Sequence, residues 1–397
     1  MANSLNSMGL AKTPAATRVV VAMSGGVDSS VAAALLKSQG YDVVGLTMQL
    51  YDHGAATAKS KTCCAGQDIY DARRVSDMIG IPHYVVDYET TFKADVMDRF
   101  ADGYIHGETP VPCVLCNQTV KFRDLLKAAK ELGADALATG HYVQRVAEGN
   151  SVALHQAADP DRDQSYFLFA TTRAQLDFVR FPLGGMNKRE TRELGIKFGL
   201  HVAAKPDSQD ICFVPNGDYA AVIRKLRPEA ARGGEIVHID GRVLGRHEGV
   251  INFTVGQRKG LGVGGEAEPL YVVRIEPDTA RIVAGPKAAL LRQSFALYGL
   301  NWLGDGEGPS PDGTPVRVKL RNTQAPIAAT VFGEGGGAAR VVLAEAEAAV
   351  TPGQACVFYD ARVDSGRVLG GGWIVRGDAA QPIAHNQRRE AQLAAGR

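Results

Sequence analysis

The stretch RVVVAMSGGVDSSVAAALLKSQG, residues 18–40, contains the features that decide the fold. Its first segment, RVVVAM, is a short apolar run rich in β-branched side chains, which is typical of a buried strand. The run from Ser29 onward favours a helix, and Gly40 stands where a helix C-cap is expected. The two glycines between these segments predict a tight turn that joins the strand directly to the helix.

Strands and helices continue to alternate after this unit. YDVVGLTMQL (41–50) predicts a second buried strand, QDIYDARRVSDMIG (67–80) an amphipathic helix and IPHYVVDY (81–88) a third strand. We predict further helices over 91–104 and 119–132, separated by a loop that holds two cysteines, and a strand at ADALATG (134–140). This order indicates an α/β fold with a doubly wound parallel sheet that has helices on both faces.

The character of the sequence changes after about residue 214. Short runs such as GEIVHI, RVLGRH and INFTVGQRKGLGV are separated by glycine, and VRVKLR, IAATVF, ARVVLA and ACVFYD follow. Many short strands with turn residues between them are typical of a small antiparallel barrel. The 397 residues also exceed one core of usual size. We predict an α/β domain with a helical extension over 16–213, a small β-rich central domain over 214–277, a C-terminal β-barrel over 278–380, and flexible segments at 1–15 and 381–397.

Composition is that of an ordinary globular protein. The chain is 45% hydrophobic and 22% charged, and its net charge of +1 would not by itself attract a polyanion. No apolar run is long enough to span a bilayer, and the first 18 residues lack the apolar core of a secretory signal, so we expect a cytoplasmic protein without a membrane partner. The six cysteines are too sparse for a disulfide scaffold, which leaves packing, metal binding or reactivity as their roles.

The turn SGGVDSS, residues 24–30, predicts a phosphate site. Two glycines let backbone N–H groups approach a ligand, and the following helix directs its positive end toward the same place. No lysine follows the glycines as in a P-loop NTPase, and the spacing is not that of a dinucleotide fingerprint. The alternative is a simple glycine turn in which Asp28 or Ser29 caps the helix.

SGGVDS after a hydrophobic strand resembles the loop of the N-type ATP pyrophosphatases, which cleave ATP to AMP and pyrophosphate. The resemblance implies an adenine-nucleotide hydrolase-like fold, bound ATP and Mg²⁺, and a catalytic role for Asp28. Met48 and Gly140 fall at strand ends where an adenine would sit in an open sheet, although Met48 could equally fill the core. The implied nucleotide contacts are Ala22, Met23, Ser24, Gly25, Gly26, Val27, Asp28, Ser29, Met48 and Gly140.

Longer segments are together similar to the tRNA-specific 2-thiouridylase family. They are TPVPCVLCNQTVKF (109–122), ATGHYV (138–143) with DRDQSYFL (161–168), and KPDSQDICFVPNGDY (205–219) with INFTVGQRKGLGV (251–263). The resemblance runs in order from about residue 18 to about residue 372. It implies ATP-dependent adenylation of O2 of the wobble uridine (U34) of tRNA and replacement of that oxygen by sulfur, giving 2-thiouridine, AMP and pyrophosphate.

The family pattern assigns roles to the cysteines. Cys116 would be the nucleophile and Cys212 would carry a persulfide, loaded by a separate donor protein. The chemistry agrees, because an adenylated oxygen is a good leaving group and a low-pKa thiol in a loop can pass on sulfur. A buried, inert cysteine is the alternative for either position. We interpret Cys63, Cys64 and Cys356 as packing residues.

Cys113 departs from the pattern, because many family members have aspartate there. Together with Cys116 and Cys212 it could hold three irons of a [4Fe–4S] cluster whose fourth iron binds hydrosulfide. A zinc clip is less consistent, since no second C-x-x-C follows at finger spacing, and a thioredoxin-like couple normally lies at a helix start next to the first strand. The persulfide and cluster hypotheses both remain open at this point.

An enzyme acting on an anticodon loop needs phosphate contacts and a base pocket. By the family pattern Val111, Pro112 and Cys113 border the target base, while Arg162, Asp163, Gln164, Lys319, Arg321 and Asn322 contact the tRNA; DNA is not an expected partner. Two basic stretches could add phosphate contacts. They contain Arg180, Lys188, Arg189, Arg192 and Lys197, and then Arg224, Lys225, Arg227, Arg232, Arg242, Arg246, Arg258 and Lys259.

Two rival functions remain. If the chain were another AMP-forming ligase of the same ATP group, its motif cysteines would be unexplained. The chain also shows no glutaminase-like segment, which argues against an amide-forming ligase. A non-catalytic RNA- or cluster-binding protein would have no use for an intact SGGVDSS loop.

Overall fold

The computed structural model describes residues 5–51, 64–149, 151–207, 211–214, 217–348, 350–362 and 365–377. The chain divides into two compact units. The first comprises Met1–Phe100, Pro112–Asp218 and Gly366–Val368, and the second comprises Ala101–Val111, Tyr219–Ser365 and Leu369–Arg397. No helix within these described ranges is both long and apolar enough to cross a membrane.

Up to residue 218 the chain alternates between strands and helices. In order, the elements are β1 (Arg18–Ala22), α1 (Val27–Ser38), β2 (Asp42–Gln49), α2 (Cys64–Ile79), β3 (His83–Asp87), α3 (Glu89–Phe92), α4 (Arg99–Ile105), α5 (Pro112–Cys116), α6 (Leu126–Glu131), β4 (Ala136–Ala138), β5 (Gln144–Glu148), β6 (Ser151–His155), α7 (Arg173–Phe178), β7 (Val179–Arg180) and α8 (Lys188–Lys197).

A five-stranded parallel sheet in the order β3-β2-β1-β4-β7 forms the centre of the first unit. The predicted doubly wound sheet is thereby confirmed. Strand order reverses beside β1, where β2 lies on one side and β4 on the other. In open α/β sheets, the carboxyl ends of the strands at such a point form the ligand crevice. The turn after β1 and the turn after β4 both open into it.

β1 lies in the middle of the core. Val19, Val20 and Val21 are all 0% exposed, which explains why this strand is a continuous apolar run rather than an alternating one. α1 buries successive alanines and Val31 against the sheet. Gly40, with φ +84°, ends this helical segment in the left-handed conformation expected of a C-cap glycine.

The cysteine segment differs from the prediction. Instead of a loop, Pro112 begins a helical run that continues to Glu131 and is π-helical over Asn117–Leu125. Proline suits the first position of a helix, because the N–H that it lacks would have no intrahelical partner there. The pair Cys113 and Cys116 therefore lies in the first turns of a helix.

The segment before β1 is packed where the structure describes it. Met8 is 7% exposed, Asn6 donates to the Thr17 hydroxyl at 3.0 Å, and Lys12 pairs with Asp135. This packing differs from the flexibility that we expected for residues 1–15. Residues 381–397 lie outside the described residues. The hairpin of β5 and β6 and the short β7 are further elements that we did not predict.

The second unit contains a small sheet and a barrel. Its elements are α9 (Tyr219–Leu226), β8 (Gly234–His238), β9 (Val243–His247), β10 (Tyr271–Glu276), β11 (Arg281–Gly285), β12 (Arg292–Trp302), β13 (Thr314–Lys319), β14 (Ile327–Gly335), β15 (Ala338–Glu347), β16 (Ala355–Asp360) and β17 (Arg367–Ile374). The small sheet has the order β10-β11-β8-β9. β12 to β17 form an antiparallel barrel that closes where β17 pairs with β12, which confirms the predicted C-terminal barrel.

Two details of this unit differ from the prediction. β11 pairs with β8 and β10, so the small sheet extends past the boundary that we placed between residues 277 and 278. The segment INFTVGQRKGLGV begins with a 3₁₀ turn at Val250–Asn252 instead of a strand. The division into three domains therefore stays a proposal.

Candidate phosphate loop and thiol site

The turn after β1 requires glycine at position 25. Gly25 has φ +72°, and a Cβ atom there would lie 2.1 Å from the carbonyl oxygen of Asp68. The turn is also bonded internally: the Ser24 N–H donates to Ser29 Oγ at 3.1 Å, and the Ser30 hydroxyl donates to the Gly26 carbonyl at 2.8 Å. A tightly held backbone with no side chain at its tip is suited to close approach by a phosphate.

The start of α1 faces this turn. Its N-cap residue is Gly26, and no side chain caps the helix. The alternative in which Asp28 or Ser29 caps α1 is therefore wrong. Free N–H groups at the positive end of a twelve-residue helix form an anion-binding site.

Gly140 lies against the same helix start. It follows β4, and a Cβ atom at this position would be 2.7 Å from the Ser29 backbone nitrogen. Any larger residue would push the β4 turn away from the phosphate loop. The structure thus brings Gly140, at the end of β4, against the start of α1 beside the phosphate loop.

The other predicted nucleotide contacts differ in exposure. Met23 and Val27 are 2% and 3% exposed, so their side chains belong to the core and only their backbones can face a ligand. Ala22 and Met48 are partly exposed at the ends of β1 and β2.

Asp28 is held by a lysine that the sequence did not mark as part of the site. Lys188 Nζ donates to Asp28 Oδ1 at 2.7 Å and to Oδ2 at 2.9 Å. The Tyr142 hydroxyl donates to the same Oδ1 at 2.9 Å. Burial is the main cause that raises the pKa of Tyr142, so this hydroxyl remains a donor at neutral pH.

Asp207 connects Lys188 to two arginines. Its carboxylate lies 2.8 Å from Lys188 Nζ, 3.0 Å from Arg192 and 3.0 Å from Arg162. Burial acts to raise the pKa of Asp207, but the hydrogen bond and charge of Lys188 outweigh it, so the pKa is lowered. Asp207 is therefore ionised at neutral pH.

Lys205 lies on the opposite side of the loop. Its Nζ donates to the Gly25 carbonyl at 3.0 Å and pairs with Asp68 at 2.7 Å and Asp71 at 2.6 Å. Burial acts to lower the pKa of Lys205, but both carboxylates outweigh it and raise the pKa. Sequence could have pointed to Lys205 and Asp207 through the motif KPDSQDIC, to which both belong. Lys188 lies in no such motif, and its charge was the feature that sequence offered for it.

The thiols of Cys113, Cys116 and Cys212 form a group. The Cys212 thiol interacts electrostatically with both of the others, although 96 positions separate Cys116 and Cys212 in the sequence. Cys116, in the last position of α5, is 8% exposed, whereas Cys113 and Cys212 are exposed residues. Cys116 therefore does not lie in a loop as predicted, while Cys212 lies in a turn within residues 211–214.

The expectation of low thiol pKa values is wrong for this ligand-free form. Burial raises the pKa of Cys116, and burial followed by repulsion from Cys116 and Cys113 raises the pKa of Cys212 to about 12. Although Cys212 is exposed as a residue, the surroundings of its sulfur disfavour the thiolate. Lys121 acts in the opposite direction on both thiols.

Lys121 also links the thiols to the phosphate loop. Its charge lowers the pKa of His141, after the larger effect of burial, so the imidazole is neutral. His141 directly follows Gly140, which touches Ser29 of the loop. Lys121 itself lies in the π-helical stretch after Cys116, where a wider turn moves the residue five positions on toward the same face. The ring of Phe122, next to Lys121, packs edge-on against His141 at 6.3 Å between ring centroids, so the helical run that carries Cys116 contacts the β4 turn.

The turn that carries Cys212 is anchored by aromatic residues. The Tyr51 hydroxyl donates to the Cys212 carbonyl at 2.7 Å. The ring of Phe213 packs edge-on against Phe92 at 5.7 Å and Phe100 at 5.3 Å between ring centroids. These contacts fix the backbone around Cys212 against α3 and α4.

The raised pKa predicts the pH dependence of Cys212 alkylation. We expect the rate with iodoacetamide to rise about tenfold per pH unit between pH 7 and 10 without levelling off, because the thiolate is the nucleophile. A small free thiol in the same tube should level off near pH 9. Peptide mass spectrometry gives the rate at Cys212, and a plateau below pH 9 would contradict the raised pKa.

A metal cluster at these thiols is not supported by the side-chain arrangement. Among the residues that the structure describes, no group of three or more His, Cys, Asp or Glu side chains is arranged to hold a metal ion. The three thiols match a cluster in number and chemistry but not in this arrangement, so we derive no step through iron. Cys356 is 0% exposed and is core as predicted, whereas Cys63 and the side chain of Cys64 lie outside the described residues.

Several predicted tRNA contacts in the first unit have hydrogen-bond or ion-pair partners within the chain. Asp163 is 7% exposed and accepts from Ser165 and Gln156, and Gln164 accepts from the Tyr142 N–H. Arg162 is exposed but paired with Asp207. Pro112 is buried, whereas Cys113 is exposed at the start of α5. Val111, which belongs to the second unit, is also buried.

The first basic stretch is not the free patch that we expected. Arg180 is 5% exposed and donates to the carbonyls of Met8, Asp177 and Val179. Lys188 and Arg192 are committed to Asp207, which leaves Arg189 and Lys197 as its exposed members. Sequence shows the charges of these residues but not their partners.

The second unit shows a similar mixture. Lys319 is 7% exposed and lies over the Tyr359 ring at 5.5 Å, while Arg321 is exposed and Asn322 is partly buried. In the second basic stretch Arg227 pairs with Asp102 and Arg242 with Asp240 and Glu266. Arg246, Arg258 and Lys259 are exposed.

Comparisons with known proteins find matches along most of the chain. Three family descriptions match successive parts of the chain: "tRNA methyl transferase HUP domain" over residues 17–216, "tRNA methyl transferase PRC-barrel domain" over 221–286 and "Aminomethyltransferase beta-barrel domain" over 292–374. A solved structure, the U34-tRNA thiolase NcsA from Methanococcus maripaludis with its [4Fe-4S] cluster, is 16% identical with a TM-score of 0.34, over 57% of this chain and 68% of that one. That likeness carries no argument about this chain.

Full-length relatives are much more similar. The chain is 60% identical to the tRNA-specific 2-thiouridylase MnmA of Rhodospirillum centenum, over 96% of this chain and 97% of the relative. It is also 60% identical to the protein of the same name from Paracoccus denitrificans, over 94% and 95%. The name of these relatives describes sulfur chemistry, which suits a site with neighbouring thiols. The domain descriptions name methyl transfer instead. The chain belongs to the tRNA-specific 2-thiouridylase family.

Proposed function

We propose that this chain uses ATP to replace the 2-oxygen of the wobble uridine of tRNA with sulfur. One observation carries the proposal: Gly140 in the β4 turn lies against the phosphate loop, and the next residue, His141, packs against Phe122 in the helical run that carries Cys116. A phosphate site and a pair of thiols thus serve one substrate position. The sequences of the full-length relatives, named for this activity, support it further.

In the proposed first step the uridine O2 attacks the α-phosphorus of ATP. The bond from that phosphorus to the bridging oxygen breaks, and pyrophosphate leaves with the electron pair. The turn at Ser24, Gly25 and Gly26 and the start of α1 bind the phosphates. Mg²⁺, when bound, neutralises phosphate charge, and the Asp28 carboxylate is the group in the loop suited to hold it.

In the proposed second step Cys116 attacks Sγ of a Cys212 persulfide. A disulfide forms between the two cysteines and hydrosulfide leaves, which then displaces AMP from C2 of the base. An external dithiol must reduce the disulfide, and a donor protein must reload Cys212. Lys121 favours the Cys116 thiolate that this step requires, against the effect of burial.

Release of labelled AMP tests the activation step. With α-labelled ATP, Mg²⁺ and unmodified tRNA, we expect AMP and pyrophosphate in equal amounts, with little AMP when tRNA is omitted. ADP as the product, or no dependence on tRNA, would contradict the proposal. Iron content and visible absorption of anaerobically purified protein, measured on the same sample, test the cluster hypothesis independently.

A further inference from the structure

We propose that Lys188 is a phosphate-binding residue of the nucleotide site. Asp28 and Asp207 hold its ammonium group in the structure, and with ATP bound this group contacts the β- and γ-phosphates. The inference rests on the proposed function in that it takes ATP as the ligand.

Lys188 is a nearly buried cation at the phosphate loop. Its side chain is 11% exposed, and its ammonium group contacts both oxygens of Asp28 and one oxygen of Asp207 within 2.9 Å. A lysine in this position loses most of its hydration, so it is kept there by specific partners. One of those partners, Asp28, lies in the first turn of the helix whose start faces the expected phosphates.

The backbone of Lys188 is fixed while its head group is long enough to move. It is the first residue of α8, next to Asn187, which forms a reciprocal capping box with Glu190. Its N–H also donates to Asp159 at 3.2 Å. A fixed backbone and a flexible four-carbon stem let the ammonium group change partners without moving the helix.

The charges around Lys188 make a change of partner feasible. Asp207 keeps Arg192 and Arg162, both at 3.0 Å, when Lys188 leaves it. Asp28 keeps the Tyr142 hydroxyl and becomes available to a divalent cation. The Asp28 carboxylate would repel a polyphosphate if no positive charge lay beside it. An ammonium group between Asp28 and the phosphates therefore favours ATP binding.

This position also has a chemical use in the activation step. When the α-phosphorus is attacked, negative charge accumulates on the leaving pyrophosphate. A positioned donor that meets developing charge typically contributes a factor of about 10² to 10³ in rate. Lys188 is placed to be that donor because Asp28 holds it beside the loop before ATP arrives.

The test compares Lys188→Met and Lys188→Arg with Lys197→Met, an exposed lysine at the end of the same helix. Equilibrium dialysis without tRNA measures the Kd for ATP and for AMP. For Lys188→Met we expect ATP binding to weaken by about 10-fold to 100-fold, while AMP binding changes by less than about threefold, because AMP lacks the β- and γ-phosphates. Lys197→Met should bind both nucleotides as the unaltered protein does.

Lys188→Arg keeps the charge and is the variant to use if the methionine variant does not fold. We expect it to bind ATP within about threefold of the unaltered protein but, with tRNA present, to form AMP from ATP about tenfold more slowly, since a planar guanidinium does not take the position of a compact ammonium group on the leaving pyrophosphate. Equal weakening for ATP and AMP, or no change for ATP, would overturn the inference. If the unaltered protein does not bind ATP at all, the proposed function itself fails, which is a different result.

Discussion

Cys116→Ser is expected to lower tRNA thiolation by at least about a thousandfold, because a serine hydroxyl neither attacks a persulfide nor forms a disulfide. The substitution removes one sulfur from a residue that is 8% exposed and leaves the phosphate loop unchanged. Binding of ATP and tRNA-dependent release of AMP should therefore continue. Thiolated nucleoside and AMP are measured in the same reaction, with persulfide-loaded protein.

Cys113→Ser is the matched control for this result. Cys113 lies in the same helix start, three positions earlier, but is exposed. If sulfur passes by persulfide, Cys113→Ser should retain thiolation within about tenfold, since its thiol forms no bond in the proposed steps. Loss of iron together with loss of thiolation in this variant would instead support the cluster. Normal thiolation by Cys116→Ser would contradict both schemes.

Gly25→Ala is expected to abolish ATP binding, with Kd weakened by more than about 100-fold. The new methyl group would lie 2.1 Å from the Asp68 carbonyl oxygen, and alanine would have to adopt φ +72°. The left-handed conformation alone costs about 1–2 kcal/mol. The clash adds to this cost, so the loop must move and its N–H groups lose their common direction.

Gly66→Ala provides the control for the added methyl group. A Cβ atom at Gly66 meets nothing within 4 Å, and the residue lies within α2. Alanine at such a helix position should stabilise the protein by about 0.5–1 kcal/mol and leave ATP binding unchanged. Calorimetry of ATP binding distinguishes the two variants. Tight binding by Gly25→Ala would show that the turn is not the phosphate site.

The fold was predictable where local pattern and burial agree. β1 reads as a buried parallel strand because all its central side chains face the core, and the two glycines predict the turn because no other residue fits position 25. We expected a loop at the cysteine pair, but Pro112 begins a helix there, since proline favours the first position of a helix.

The candidate site was predictable only in part. Sequence motifs located the loop and the thiols, but a charged side chain does not show its partner. From sequence, Lys188 and Arg180 both fitted a basic RNA-binding surface. In the structure Lys188 binds Asp28, and Arg180 donates to backbone carbonyls of the first unit. The raised pKa values of Cys116 and Cys212 likewise follow from burial, which the motifs do not encode.

Nucleoside mass spectrometry of treated tRNA tests the central claim most directly. Purified protein is incubated with unmodified tRNA, ATP, Mg²⁺, a dithiol and a persulfide source, and the digested RNA is examined for uridine in which sulfur has replaced oxygen. Our account predicts this change at the wobble uridine, matched by release of AMP and pyrophosphate. AMP release with no thiolated uridine, under conditions where Cys212 is shown to carry a persulfide, would contradict it.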